Sequence, residues 1–218
     1  MDVIPQASLF IGIIPALVLL YISLKGFEGH YQDKRIFITF LAGLVIGFIS
    51  VIIEYFTIAV GVLFIVLFPI LEQMFKTIIL NIGRFQKKRE TTIYGLSLGL
   101  GFGSIFMPFQ IILFYNQPDL TYLNLGYTIL GAFSLILIHG ATGIIIGYGV
   151  YEGKLRNYLV FAIMLTIPLN TFYYILSIYK YDSLQPIIIP YALIIYWYAT
   201  TKIMRRILIQ TKRRKRST

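Results

Sequence analysis

The chain has 218 residues, 58% of them hydrophobic and only 13% charged, with a mean hydropathy of +0.80. Apolar stretches recur to about residue 201, which takes the composition outside that of a soluble protein and leaves no room for a soluble catalytic domain. The net charge of +10 sits mainly in connections and in the tail, and the absence of cysteine excludes disulfides, thiolate metal sites and a cysteine nucleophile.

Seven apolar runs follow in chain order, over about 8–24, 36–53, 57–80, 92–115, 124–150, 158–179 and 184–204. Each approaches or exceeds the roughly 20 residues that a spanning helix needs. They predict an all-α fold, with a single multi-pass bundle over 1–204 and a basic tail over 205–218. Before the first run lies Asp2 and no Lys or Arg, and after it comes Lys25 rather than a small-residue cleavage site. That pattern predicts a retained helix and not a signal peptide. The second and third runs are nearly continuous, but 45 residues of helix would reach about 68 Å, over twice the roughly 30 Å hydrocarbon core. The chain is therefore expected to reverse near Glu54 to Phe56, give or take about four residues, with Glu54 solvated at that turn.

Lys and Arg alternate between connections. Lys25, Lys34 and Arg35 lie in the first, Arg84, Lys87, Lys88 and Arg89 in the third, and Lys154 and Arg156 in the fifth. The second and fourth have none, the sixth has only Lys180, and the tail holds a run from Lys212 to Arg216. Cytoplasmic connections carry the excess of positive charge, so the pattern predicts a cell-membrane protein with its N-terminus outside and C-terminus inside. The tail reads as a topology signal that attracts anionic lipid, not as a nucleic-acid patch. Tyr122, Tyr127, Tyr151, Tyr158, Tyr179 and Tyr181 fall near run ends, where tyrosines anchor helices at the interface.

Charged side chains inside a span cost at least about 2.5 to 3.5 kcal/mol and mark candidate sites. In the third run, Glu72 and Lys76 are four apart and share a helix face, with Gln73 between them and Pro69 one turn earlier. Mutual neutralisation, or snorkelling of Lys76 to the inner interface, would be a purely structural use of the pair. In the fifth run, His139 lies as many residues from the outer boundary as Glu72 does in the third, about 22 Å deep by the helical rise. The two could meet. The fourth run, with Gly95, Gly99, Gly101 and Gly103, reads as a close-packing face, and Pro108 frees the carbonyl of Ser104 and predicts a bend. In the sixth, Pro168 precedes Asn170, an amide in need of a partner.

Together these segments resemble the PrsW-type intramembrane proteases, relatives of the CAAX-protease and bacteriocin-processing group, over roughly residues 36–178. The family's Glu-Glu-x-x-Lys motif stands here as Glu72-Gln73-Met74-Phe75-Lys76, its Gly-x-Gly-Phe segment as Gly99 to Phe102, and its later His with Gly-Tyr eight residues on as His139 with Gly147-Tyr148. Two family acids are absent: Gln73 replaces the second Glu, and Phe106-Met107 replaces a Glu-Asn. No His precedes Asn170 by a turn. The resemblance implies peptide-bond hydrolysis of a single-span or other membrane-associated substrate, with Glu72 as base, His139 assisting, and Gln73, Lys76 and Asn170 in support. It leaves the cofactor open: in the family reading the carboxylate acts alone or with a metal, and here Glu72 and His139 supply two ligands where catalytic zinc usually has three. Because of the missing acids, two other uses stay open: a catalytically inactive binder of lipid, peptide or protein, and a proton- or ion-coupled transporter.

Overall fold

The computed structural model describes residues 3–57, 61–115, 121–179 and 181–208. The chain order is α1 (Val3–Leu24), α2 (Asp33–Thr57), α3 (Val62–Leu80), α4 (Thr91–Ser104), α5 (Phe106–Tyr115), α6 (Tyr122–Glu152), α7 (Leu155–Tyr179) and α8 (Ile189–Tyr198). A 3-10 segment, Asp182–Ile188, leads into α8, and a π-helical segment, Ala199–Met204, follows it. No strand occurs among the described residues. Five stretches are long and apolar enough to cross a membrane: Asp33–Thr57, Thr91–Ile112, Leu123–Glu152, Leu155–Tyr179 and Ser183–Leu208. Ser8–Leu24 is a shorter apolar helix. The basic run of the tail and Lys180 lie outside the described residues.

Local sequence explains where the helices stop. Thr121 caps α6 by accepting from the Asn124 amide at 3.1 Å, and Gly153, in the left-handed region at φ 69°, closes its other end. Helix α2 runs on through Glu54 to Thr57 and α3 begins at Val62, after Gly61 with its positive φ of 34°, within a few residues of the reversal that the sequence predicts. Glu54 is accordingly in the last turn of a helix, half-buried rather than solvated. The fourth run is split at Ile105, between α4 and α5, one turn before Pro108 as the freed Ser104 carbonyl requires. Gly12 of α1 packs against that carbonyl and the Pro108 ring so closely that a Cβ there would overlap both.

The seventh run is not one regular helix. Pro186 lies within the 3-10 segment and Pro190 in the first turn of α8, where proline is tolerated. Beyond Tyr198, the hydroxyls of Thr200 and Thr201 bond back to carbonyls of Tyr196 and Trp197 at 2.6–3.1 Å, competing with the helix ladder where it widens to the π form.

The centre of the bundle is α4, every residue of which is buried. Its Gly95, Gly99 and Gly103 meet Gly143, His139 and Ile136 of α6, and Gly147 of α6 meets Thr91, so these helices run antiparallel. On another side, Gly43 and Gly47 of α2 abut Leu98 and Phe102, while Gly101 abuts Phe40, and here the two run in the same direction. Contact this close lets backbones pack directly, as small residues allow between membrane helices. A Cβ on Gly99 would overlap the His139 carbonyl oxygen. Gly99→Ala is therefore expected to destabilise the detergent-solubilised protein by about 1–3 kcal/mol, read as a lowered Tm. Gly83→Ala, which meets nothing within 4 Å, should leave the Tm unchanged.

Candidate functional site

One polar cluster lies in the core, among α3, α6 and α7. Glu72, Gln73, Lys76 and His139 are each no more than 1% exposed. The glycine contact described above fixes the backbone at His139, and the Phe102 and Phe106 rings lie 4.6 and 5.1 Å from the imidazole, centroid to centroid. From α3, Glu72 Oε1 reaches to 3.5 Å from His139 Nε2.

The lysine does not pair with the glutamate one turn away, nor does it snorkel. Its Nζ lies 2.8 Å from His139 Nδ1, 2.9 Å from Thr142 Oγ1 and 3.1 Å from Gln73 Oε1, and 4.7 Å above the Phe102 ring. The amine therefore faces three acceptors, the number an ammonium can satisfy. Two of the acceptors, Thr142 and Gln73, are oriented from behind by further bonds. The Thr142 hydroxyl donates to the His139 carbonyl at 3.2 Å, which turns its lone pairs to the lysine. Gln73 Nε2 donates to Thr166 Oγ1 at 3.3 Å, which turns its carbonyl oxygen to the lysine, and Thr166 in turn donates to the Ala162 carbonyl at 2.8 Å.

This chain of bonds has a consequence for the histidine. With Nδ1 accepting from Lys76, a neutral imidazole carries its proton on Nε2, aimed at Glu72. Neither Nε2 nor Glu72 Oε2 has a hydrogen-bond partner in the closed bundle. A buried donor and a buried acceptor thus stand close together, each unsatisfied at a cost of about 1–3 kcal/mol. That is an arrangement able to receive a small polar reactant.

Of the residues singled out from sequence, the structure brings together Glu72, Gln73, Lys76 and His139. Asn170 is not bonded to them: it is buried, and its Nδ2 has no partner. The half-buried Glu54 carboxyl lies within electrostatic range of both Glu72 and Tyr173. Thr142 and Thr166 escaped the sequence reading. Thr142 sits three residues after His139, and that spacing on one helix face was the available signal; for Thr166 there was none.

The cluster fits a metal poorly. No group of three or more His, Asp or Glu stands together among the described residues, and the ammonium of Lys76 occupies the imidazole nitrogen that does not face Glu72. Two candidate ligands remain, one of them protonated at the facing atom.

Over 209 residues the chain is 25% identical to "Protease PrsW" of Halalkalibacterium halodurans, a match covering 88% of this chain and 93% of that protein. The similarity spans every element of the cluster and supports a PrsW-type relative. No family model and no solved structure matches the chain.

His30 and His139 are the two histidines, so a His30→Gln background isolates the buried imidazole. Nitrogen-15 spectra of that protein in lipid nanodiscs are expected to show an Nε2-protonated neutral ring. Lys76→Met should abolish the fixed tautomer; an unchanged spectrum would mean that the lysine does not set it.

Proposed function

We propose that this chain is a seven-span peptidase of the PrsW type that hydrolyses peptide bonds in membrane-associated substrates, with Glu72 as base and His139 assisting. The carrying observation is that His139 Nε2 and Glu72 Oε2 lack hydrogen-bond partners in the buried core, with Nε2 3.5 Å from Glu72 Oε1 and Nδ1 bonded to Lys76. A water between substrate and Glu72 gives its proton to the carboxylate as its oxygen attacks the peptide carbonyl carbon. The Nε2–H of His139 donates to the oxyanion that forms. Glu72 then returns the proton to the amide nitrogen as the C–N bond breaks, leaving a carboxylic acid and an amine. Leu67, Leu71, Met74 and Ile78 on α3 are exposed, which gives a single-span substrate helix an apolar face beside the carboxylate.

The reading includes the topology. α1 and α3 join the five long apolar stretches as spans, placing the N-terminus outside and the C-terminus in the cytoplasm of the cell that carries it. The alternating Lys and Arg content supports this, as do the helix directions: α4 runs against α6 and with α2, and Gln73 with Thr166 and Phe64 with Tyr174 set α3 against α7.

A second reading rests on closure. With Glu72 and His139 1% exposed beneath Phe102 and Phe106, and Gln73 in place of an acid, the same cluster suits a catalytically inactive relative that binds a lipid, peptide or membrane partner. Purified protein incubated with single-span substrates separates the two. On the peptidase reading, Glu72→Gln and His139→Ala each lower kcat by about 100-fold or more; equal cleavage by all three forms would refute the assignment, and no cleavage by any would favour the binder. Topology has its own test, made clean by the lack of native cysteine. In intact cells, Thr121→Cys should react with a membrane-impermeant maleimide and Gln86→Cys should not.

A further inference from the structure

A second site lies away from the buried cluster, where α2 begins. A cavity of about 260 Å³ is lined by Gln32, Lys34, Arg35, Ile38, Arg84 and Phe85. Three of its six walls are cations and none is an acid. Among the described residues none of the three has a carboxylate within ion-pair distance. The guanidinium carbons of Arg35 and Arg84 lie 6.0 and 5.0 Å from the Tyr94 and Phe85 ring centroids, and Tyr94 also accepts from the Gln32 amide at 3.2 Å. Stacked guanidinium groups keep their planar forks oriented, and the fork geometry matches phosphate oxygens.

The surroundings select among phosphate sources. Ile38 of the lining is 39% exposed, and Phe37 and Ile82, one and two residues along the chain from Ile38 and Arg84, are 63% and 43% exposed, so apolar surface is available close to the charged mouth. The volume falls below the roughly 300–1,000 Å³ of pockets that enclose a whole small ligand. A headgroup fits it, with acyl chains lying outside along that apolar surface. A neighbouring cavity, lined by Gly29, His30, Lys87, Lys88, Arg89, Glu90 and Ile207, includes a carboxylate and carries no such selection.

We propose that Lys34, Arg35 and Arg84 form a binding site for the phosphate of an anionic phospholipid. The site clamps the first connection to the third, and so ties the start of α2 to the end of α3, the helix that carries Glu72 and Lys76. It stands independently of whether the buried cluster is catalytic.

Native mass spectrometry of the full chain released from micelles with phosphatidylglycerol or phosphatidylcholine tests it, each also with inorganic phosphate in excess. Wild type should retain phosphatidylglycerol in preference to phosphatidylcholine, and phosphate should not displace it. The Arg35→Gln, Arg84→Gln double variant should weaken retention about thirty-fold, from two lost phosphate contacts near the surface. A Lys87→Gln, Lys88→Gln variant, equal in charge change but outside the cavity, should bind as wild type does. Equal weakening in both variants, no preference between lipids, or displacement by free phosphate would each overturn the proposal. Should the double variant fail to elute as monodisperse protein, Lys34→Gln alone is expected to show a partial loss, and full retention by it would count against the site.

Discussion

Everything in the core is referred to one contact, the face-to-face passage of α4 over α6 with backbone against backbone. In lipid no water is left to expel between apolar surfaces, so helix association depends on close packing and on polar bonds across the interface. Gly95, Gly99 and Gly103 on one side and Gly143 and Gly147 on the other provide the closeness. The same contact places His139, whose carbonyl lies where a side chain on residue 99 would be. A histidine set on a helix with room to rotate would find some nearby acceptor; this one is confined by α4 behind it and by Phe102 and Phe106 beside it.

Given that position, the charges on α3 acquire a definite arrangement. A lysine buried at 0% exposure can persist as an ammonium only with its donors satisfied, and three acceptors on two helices are available: Gln73 on its own helix, and Thr142 and the imidazole on α6. The tie to Gln73 runs further, to Thr166 on α7. Three helices are thereby joined by polar bonds in a region where few other polar groups occur. Networks of this kind rigidify when complete. The two atoms of these side chains left out of it are His139 Nε2 and Glu72 Oε2.

Much of this was readable from sequence, for reasons that differ residue by residue. The existence of the apolar helices follows from length and hydropathy, and the break before Pro108 from the chemistry of proline. The meeting of Glu72 with His139 follows from depth, because parallel and antiparallel spans share one coordinate along the membrane normal. Azimuth is a different matter. Sequence places Lys76 on the face of Glu72, yet the lysine turns to α6, because a flexible four-carbon stem chooses acceptors by tertiary position rather than by helical spacing. Thr166 was out of reach for the same reason, being 93 residues from its partner. Asn170, which sequence marks as an amide in need of a partner, is buried but makes no hydrogen bond to this network. Helix α2 runs on past Ile53 to Thr57, so that Glu54, which reads in sequence as a solvated turn residue, stands half-buried in its last turn.

The substitution at position 73 is where resemblance and geometry bear on each other most directly. A glutamate there would present only acceptor oxygens when ionised, and could not donate to Thr166. It would also neutralise Lys76, drawing the ammonium toward itself and away from the imidazole. Glutamine instead donates at one end and accepts at the other, so it joins α7 to the lysine without competing for its charge. The lysine is left to hold His139, and the one remaining acid of the motif faces the imidazole's free edge. On the peptidase reading proposed above, a single carboxylate both takes the proton from water and returns it to the leaving nitrogen, which confines the chemistry to one side of the substrate, the side where the apolar residues of α3 are exposed.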